Sequence, residues 1–248
     1  MDEAVREAAE LVRAAKRVVI FTGAGISAES GVPTFRDALT GLWERFDAAK
    51  LATPEAFDAD PALVWGWYEW RRALALAVEP NAGHVAAAQI AARAEHATVI
   101  TQNVDDLHER AGAPETLHLH GSLFTPRCSA CAHPAALPPV PEGEPGRVTP
   151  PPCDQCGAPI RPGVVFFGEA LPTEALEAAV EAAANADVLL SVGTSGLVYP
   201  AAEIPQVTAQ LGGAVIQVNP EPTPLDPLAR VNLRGPSAKI LPALLAAS

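Results

Sequence analysis

The sequence predicts an α/β fold, a mostly parallel, doubly wound sheet with a smaller domain formed by two insertions. Three observations predict it. Short apolar runs rich in β-branched residues recur at 17–22 (RVVIFT), 97–101 (ATVIT), 164–167 (VVFF), 187–192 (DVLLSV) and 214–219 (AVIQVN). Runs of this kind are buried on both faces of a parallel sheet. Alanine-rich, helix-like segments, notably 83–93 and 173–184, separate several of them, and alternating strands and helices imply parallel strands joined by crossovers. Two stretches break the rhythm: 39–79, rich in Trp, Ala and Arg, and 125–160, which holds every cysteine and eight prolines between 134 and 152.

In chain order, the opening segment 3–16 places Val5, Ala8, Ala9, Val12 and Ala15 at three- and four-residue spacing, the amphipathic helical period. The run 17–22 then leads directly into Gly23-Ala-Gly-Ile-Ser-Ala28, so strand, glycine turn and helix follow one another in a Rossmann-like order. Residues 1–38, 80–124 and 161–248 are expected to build the sheet domain. Residues 39–79 are expected as a helical insertion and 125–160 as a metal-binding module, the two together forming the small domain. Within that module, 138–152 is expected to be a loop, since proline removes ladder donors and helix options alike.

Composition narrows the functional classes. At 248 residues, 49% hydrophobic and 19% charged, the chain can bury one sizeable core or a large domain with a small appendage. A formal charge of −12, with three lysines among 17 basic residues, argues against a broad phosphate-binding surface, so no nucleic-acid partner is expected. No stretch approaches the roughly 18 apolar residues of a membrane span, and the N-terminus lacks an apolar signal segment. No membrane partner and a cytoplasmic location are the corresponding expectations.

Gly23, Gly25 and Ala28 fit G-x-G-x-x-A after a strand, where glycines let the backbone approach a pyrophosphate. A tight turn with no ligand would read the same way. An ordinary dinucleotide fold would next show a second strand ending in an acidic residue about 20 positions on. Here Gly41-Leu-Trp-Glu44 and helical sequence follow instead, so a hydride-transfer dehydrogenase fits poorly. The cysteines fall in two C-x-x-C pairs, Cys128/Cys131 and Cys153/Cys156, which together suit one tetrahedral zinc. Four protein ligands leave no place for water, so the metal is expected to be structural; a redox dithiol is the competing reading. His120, between a strand-like run and the cysteine module, is placed where two domains would form a cleft. Gln102, Asn103 and Asp105 follow 97–101 at the edge where open α/β sheets bind ligands, although Asn103 or Asp105 could equally cap a helix.

Six segments taken together, Gly23 to Arg36, Gln102-Asn-Val-Asp105, His120-Gly-Ser122, the paired C-x-x-C motifs, Gly193-Thr-Ser195 and Val218-Asn-Pro220, resemble a sirtuin over nearly the whole chain. The resemblance implies an NAD-dependent enzyme that removes acyl groups from lysine side chains, yielding nicotinamide and acyl-ADP-ribose. It implies that NAD crosses the Gly23 turn, with Ala24, Ala28, Thr34, Phe35 and Arg36 on a cofactor-binding loop. Gly193, Thr194, Ser195, Asn219 and Glu221 would hold the adenosine half, and Gln102, Asn103 and Asp105 would line the nicotinamide pocket. His120 matches the family's general base, with Asn103 as its catalytic companion. Val164, Val165 and Phe166, within 163–167, resemble the segment that pairs with substrate backbone; Gly163 and Phe167 depart from the commoner His and Trp.

Tyr68 and Arg71, three residues apart, share a face if 67–72 is helical. The plain reading is a core helix with an arginine at its rim. The pair also resembles the one in sirtuins that remove succinyl and malonyl groups, and Ala52 matches the small residue that enlarges their pocket. Acylated lysine-containing proteins or peptides are then the expected partners. Two rival readings use the same NAD pocket: a protein ADP-ribosyltransferase, and a non-catalytic NAD or ADP-ribose sensor.

Overall fold

The computed structural model describes residues 3–34, 47–140 and 146–248. A helix α1 (Glu3–Ala14) leads into β1 (Arg17–Thr22) and the short α2 (Ala24–Ala28). Three helices follow, α3 (Ala48–Leu51), α4 (Pro54–Ala59) and α5 (Pro61–Leu76). Then come α6 (Ala82–Arg93), β2 (His96–Thr101), α7 (Leu107–Arg110) and β3 (Thr116–His118). A two-stranded ribbon, β4 (Arg127–Cys128) with β5 (Ile160–Arg161), flanks the cysteine module. The chain ends through α8 (Thr173–Ala184), β6 (Val188–Val192), α9 (Ile204–Gln210), β7 (Ala214–Val218), β8 (Val231–Leu233) and α10 (Ser237–Ala247).

The sheet has six parallel strands in the order β3-β2-β1-β6-β7-β8. Its register sets Thr22 beside both Thr101 and Val192, and Val192 beside Val218, so four strands end at one edge. The strand order reverses at β1, the switch point where such sheets open a crevice. Side chains alternate across the sheet, and both faces are covered. Val18, Ile20, Val99, Leu190 and Ile216 pack under α1, α6 and α10, through residues such as Ala8, Ala87, Ile90 and Leu241. Val19, Phe21, Ile100, Leu189 and Val215 pack under α8 and α9, through Ala179, Ala183 and Ile204.

A further apolar cluster joins α3, α4 and α5 to Leu123, Val164 and Phe166. Its helices begin where the sequence supplies caps: Asp47, Thr53 and Asp60 accept from the amides of Ala49, Ala56 and Leu63, and proline opens α4 and α5. A fourth cluster packs Trp65 of α5 against Cys128, Cys153 and Ile160.

One expected strand is corrected. Residues 164–167 are outside the sheet and form one isolated antiparallel bridge, Val164 to Gly121, which itself lies beyond the end of β3. Val164 and Phe166 pack into the cluster of α3, α4 and α5, and a short apolar run does not distinguish that role from a buried strand. The three-residue β8, conversely, is too short to show a period. Part of the 138–152 loop, residues 141–145, lies outside the described residues.

Gly66 on α5 meets the backbone of 146–148, where the Val148 amide donates to the Ala62 carbonyl at 2.9 Å. A Cβ on Gly66 would lie 1.9 Å from the Gly146 oxygen. Gly66→Ala should therefore push this segment off the helix and lower stability by about 1–3 kcal/mol, the usual range for overpacking. Thermal melts of the two proteins check this, and an unchanged midpoint would refute the contact.

Candidate active site

The ends of β1 and β6 meet through glycine. The Gly23 amide donates to the Val192 carbonyl at 3.0 Å and the Gly25 amide to the Gly193 carbonyl at 2.9 Å. A Cβ on Gly25 would sit 2.7 Å from the Gly193 Cα, and Gly193 itself has φ +61°, a conformation that favours glycine. Gly23 starts α2 with no side-chain cap. The turn thus presents bare backbone to the crevice above the sheet.

Behind it lies a buried polar layer. Thr22 Oγ1 donates to Thr101 Oγ1 at 2.8 Å and pairs with His108 Nε2 at 2.9 Å. Ser27 Oγ pairs with His84 Nε2 at 3.3 Å and accepts Asn103 Nδ2 at 3.0 Å. The Asn103 amide donates to Thr101 Oγ1 at 3.0 Å, and its carbonyl accepts His118 Nδ1 at 3.0 Å. Asn103 is therefore held at three points. Asp105 accepts the Leu107 amide at 3.1 Å, a local turn bond ahead of α7, whose N-cap position is Asp106 and carries no side-chain cap. Burial raises the Asp105 carboxyl, against the Leu107 amide and the Ser27 hydroxyl, which lower it.

His120 Nδ1 lies 2.9 Å from the Gln102 carbonyl. A carbonyl only accepts, so Nδ1 carries hydrogen and Nε2 keeps its lone pair. Burial lowers the His120 pKa, which keeps the ring neutral. Its near neighbour His118 is the opposite case. Burial opposes its charge, but Glu109 at 2.7 Å from Nε2 and the Asn103 carbonyl at Nδ1 outweigh it and raise the pKa. Gln102 Nε2 donates to Thr194 Oγ1 at 2.9 Å, and Asn219 Nδ2 donates to the Thr194 carbonyl at 2.8 Å. These bonds link the ends of β2, β6 and β7.

A single cavity of about 720 Å³ runs along this edge. It brings together Gly23, Ala24, Gly25, Ala28 and Thr34 with Gln102, Asn103, Asp105 and His120. Gly193, Thr194, Ser195, Asn219 and Glu221 line one end, and Ala52, Tyr68, Arg71, Val164, Val165 and Phe166 the other. Phe35 and Arg36 lie outside the described residues. Lining residues that the sequence did not single out include Ser27, Glu29, Leu197, Tyr199 and Ser237. Ser27 sits inside a recognisable motif, whereas exposed Leu197 and Tyr199 look like any surface apolar residue until the fold places them at the rim.

At the Ala52 end of the cavity, Tyr68 is buried, with its ring centroid 5.8 Å from Phe166 and 4.7 Å from Trp67. Burial pushes its hydroxyl up to about 12, against the lowering effect of Arg71. The Arg71 guanidinium lies 5.2 Å from the Trp67 ring centroid and 5.6 Å from that of Tyr68. Burial lowers its pKa, and hydrogen bonding to Tyr68 opposes this. The Tyr68–Arg71 face that helical spacing predicts thus points into the cavity.

The four cysteines converge in the module. Sulfur separations are 3.4 Å for Cys128 to Cys156, 3.6 Å for Cys156 to Cys131 and 3.8 Å for Cys131 to Cys153, with all four sulfurs within 4.8 Å of one another. Tetrahedral zinc with bonds of about 2.3 Å needs sulfurs about 3.8 Å apart, so the donor set fits that ion. Amides of Ala130 and Cys131 also point at the Cys128 sulfur, and that of Gln155 at Cys153. These orient the ligands as outer-shell donors do.

Comparison with known proteins agrees with this geometry. A Sir2 family model matches residues 23–200. An NAD-dependent protein deacylase of Methylococcus capsulatus is 58% identical over 239 residues, covering 95% of this chain and 94% of that protein. NAD-dependent protein deacylase 1 of Pseudomonas aeruginosa is 56% identical over 244 residues, covering 97% and 98%. A crystal structure of a Sir2 homolog in complex with NAD superposes with TM-score 0.90 at 43% identity, covering 100% of this chain and 96% of that one. The structure of Sir2Af2 bound to a myristoylated histone peptide superposes with TM-score 0.80 at 34% identity, covering 100% and 97%. The chain belongs to the Sir2 family, the sirtuins.

The polar layer makes stability depend on pH. His84 and His108 stack edge to face, centroids 5.1 Å apart, and burial lowers their pKa values to about 3 and about 4. Both fold neutral, so above the unfolded value of about 6.5 they oppose nothing. Below it the unfolded chain binds protons that the folded rings refuse, and each ring removes up to about 1.4 kcal/mol per pH unit until its folded pKa is reached. The urea midpoint should fall between pH 6.5 and 4.5, less steeply in His84→Asn. An equal slope in that variant would show that His84 is protonated in the folded protein.

Proposed function

We propose that this chain is an NAD-dependent protein-lysine deacylase, prefers acyl groups ending in a carboxylate, and carries one structural zinc on Cys128, Cys131, Cys153 and Cys156. The observation that carries the reading is that one cavity joins a neutral, tautomerically fixed His120 to the Tyr68–Arg71 pair at one end and the glycine turn at the other.

Gly23, Ala24, Gly25, Ala28, Thr34, Phe35 and Arg36 would hold the phosphates and nicotinamide half of NAD. Gly193, Thr194, Ser195, Asn219 and Glu221 would take the adenosine half. The glycine backbone at the wall and the Gln102–Thr194–Asn219 chain of hydrogen bonds suit such a ligand. When bound, NAD supplies a ribosyl carbon that becomes electrophilic as nicotinamide departs. Gln102, Asn103 and Asp105 would line the place where that charge develops, and the three bonds on Asn103 fix its orientation beforehand, which is how a site stabilises charge without reorganising.

Proximity then does the next part of the work. The acyl oxygen is a weak nucleophile, and Val164, Val165 and Phe166 would hold the peptide so that it faces the ribose. His120 Nε2 would accept the ribose hydroxyl proton, as its fixed tautomer and lowered pKa permit at neutral pH. The products are free lysine, nicotinamide and acyl-ADP-ribose. An ADP-ribosyltransferase would have no use for the acyl end of the cavity, and a sensor would have no use for a held base. Residues 1–38, 80–124 and 161–248 form the NAD-binding unit in this reading, with 39–79 and 125–160 as the small domain; the sheet clusters and the cysteine-module cluster each fall on one side of that division, while the cluster of α3, α4 and α5 bridges it through Leu123, Val164 and Phe166. A cytoplasmic location is supported by thiols that a reducing compartment keeps available to zinc. Among the described residues no helix is long and apolar enough to cross a membrane.

Nicotinamide release should require both NAD and an acylated peptide, with acyl-ADP-ribose seen by mass spectrometry. His120→Ala should lower turnover by about 100-fold or more while sparing NAD binding, in line with loss of a general base. Release independent of acylation would overturn the deacylase reading, and full activity in the variant would point to another base.

Charge-assisted hydrogen bonds of about 1.5–3 kcal/mol correspond to a roughly 10- to 150-fold preference for succinyl- over acetyl-lysine. Arg71→Met should remove most of that ratio in kcat/KM on matched peptides. A ratio that does not change would remove Arg71 from the acyl site.

A further inference from the structure

The segment 163–167 is irregular, yet one ion pair grips two of its backbone groups. Arg161 donates to both oxygens of Glu169, at 2.6 Å from Nη1 and 2.9 Å from Nη2, a bidentate pair. Nη2 also donates to the Val164 carbonyl at 3.2 Å, and Glu169 Oε2 accepts the Phe166 amide at 2.8 Å. The Arg161 Cζ lies 3.9 Å from the Phe166 ring centroid, within cation–π range. The intervening residues are tied elsewhere: the Val165 amide donates to the His120 carbonyl and the Phe167 amide to the Ala52 carbonyl, both at 2.8 Å.

Four successive residues are thus anchored, two through the pair and two through carbonyls of the base and acyl regions. Glycine bounds the segment at both ends, Gly163 and Gly168, the latter with φ +89°. The positive φ of Gly168 is one that glycine allows, and the Gly163 carbonyl is held by the Ser122 amide at 3.1 Å, so between them the shape of 164–167 is set by its own anchors. Both side chains of the pair are largely buried, 11% exposed for Arg161 and 23% for Glu169. Burying an ion pair is a poor way to gain stability, because desolvation offsets the attraction, whereas it does specify one geometry.

Building on the reading of 163–167 as the peptide-pairing segment, we propose that Arg161 and Glu169 are positioning residues for the acylated peptide. They hold the segment in the conformation that accepts the peptide as an added strand, and they seat Phe166 against Tyr68 in the acyl pocket. Neither belongs to the glycine turn or the 193–195 wall, so NAD handling should be separable from their effect.

The test uses the full chain with Glu169→Ala and Glu169→Gln, measuring KM for an acylated peptide, KM for NAD, kcat and the melting midpoint. Glutamine keeps a neutral acceptor for the Phe166 amide and loses the charge. Peptide KM should rise about tenfold or more in Glu169→Ala and by an intermediate factor in Glu169→Gln, with KM for NAD within about twofold of the parent. An unchanged peptide KM in folded Glu169→Gln would overturn the proposal. So would parallel rises in both KM values with a lowered midpoint, which would mark a scaffold role. Failure of the parent to release nicotinamide with peptide would instead strike the deacylase reading itself.

Discussion

The contact on which the site depends is the backbone-to-backbone approach of Gly25 to Gly193. With 2.7 Å between a notional Cβ and the Gly193 Cα, no side chain fits, and the ends of β1 and β6 close to hydrogen-bonding distance. Parallel register then brings the segments after β2 and β7 to the same edge. Gln102, Thr194 and Asn219 can bond across three strand ends only because that edge is flush. A parallel sheet makes such a row of strand ends, and the glycines let it narrow into a crevice.

Above that edge, environment gives one residue type three electrostatic roles. His84 and His108, buried against one another, are neutral members of the polar layer. His118, between a carbonyl and a carboxylate, is the ring whose charge the fold favours, and its Nδ1 hydrogen holds the Asn103 carbonyl from behind. His120, two residues on, has only the Gln102 carbonyl and burial, so it stays neutral with one nitrogen able to take a proton. The alternation along 118–120 sends both rings toward the 102–103 turn, yet only the second lines the cavity.

Much of this was legible in the sequence because the informative residues are constrained by backbone or by metal. Gly23, Gly25 and the doubled C-x-x-C pairs have few alternative explanations, and β1, β6 and β7 are apolar runs with both faces covered. Residues 164–167 show where legibility ends. Their composition is that of a strand, but their partners, Arg161, Glu169, His120 and Ala52, are scattered over more than a hundred residues of chain, and no local pattern encodes such partners. His84 was invisible for a similar reason, since one histidine in an alanine-rich helix gives no sign of the serine it will meet.

The small cysteine module looks remote from chemistry, but α5 connects it to the cavity wall at Tyr68 and Arg71. Successive residues on a helix turn by about 100°, so Tyr68 and Arg71 share one face and Glu69 and Arg72 the next. The first face lines the cavity. On the second, Arg72 bonds Glu69 at 2.5 Å and the Pro138 carbonyl at 2.8 Å, tying the helix to the proline-rich chain beyond the first cysteine pair. One turn earlier, Trp65 packs directly on Cys128, Cys153 and Ile160. Because a rigid helix transmits position along its length, the place of the Arg71 guanidinium is set in part by contacts that a tetrahedral metal would hold in register. A structural zinc remote from the cavity can in this way bear on the shape of the cavity wall at Tyr68 and Arg71.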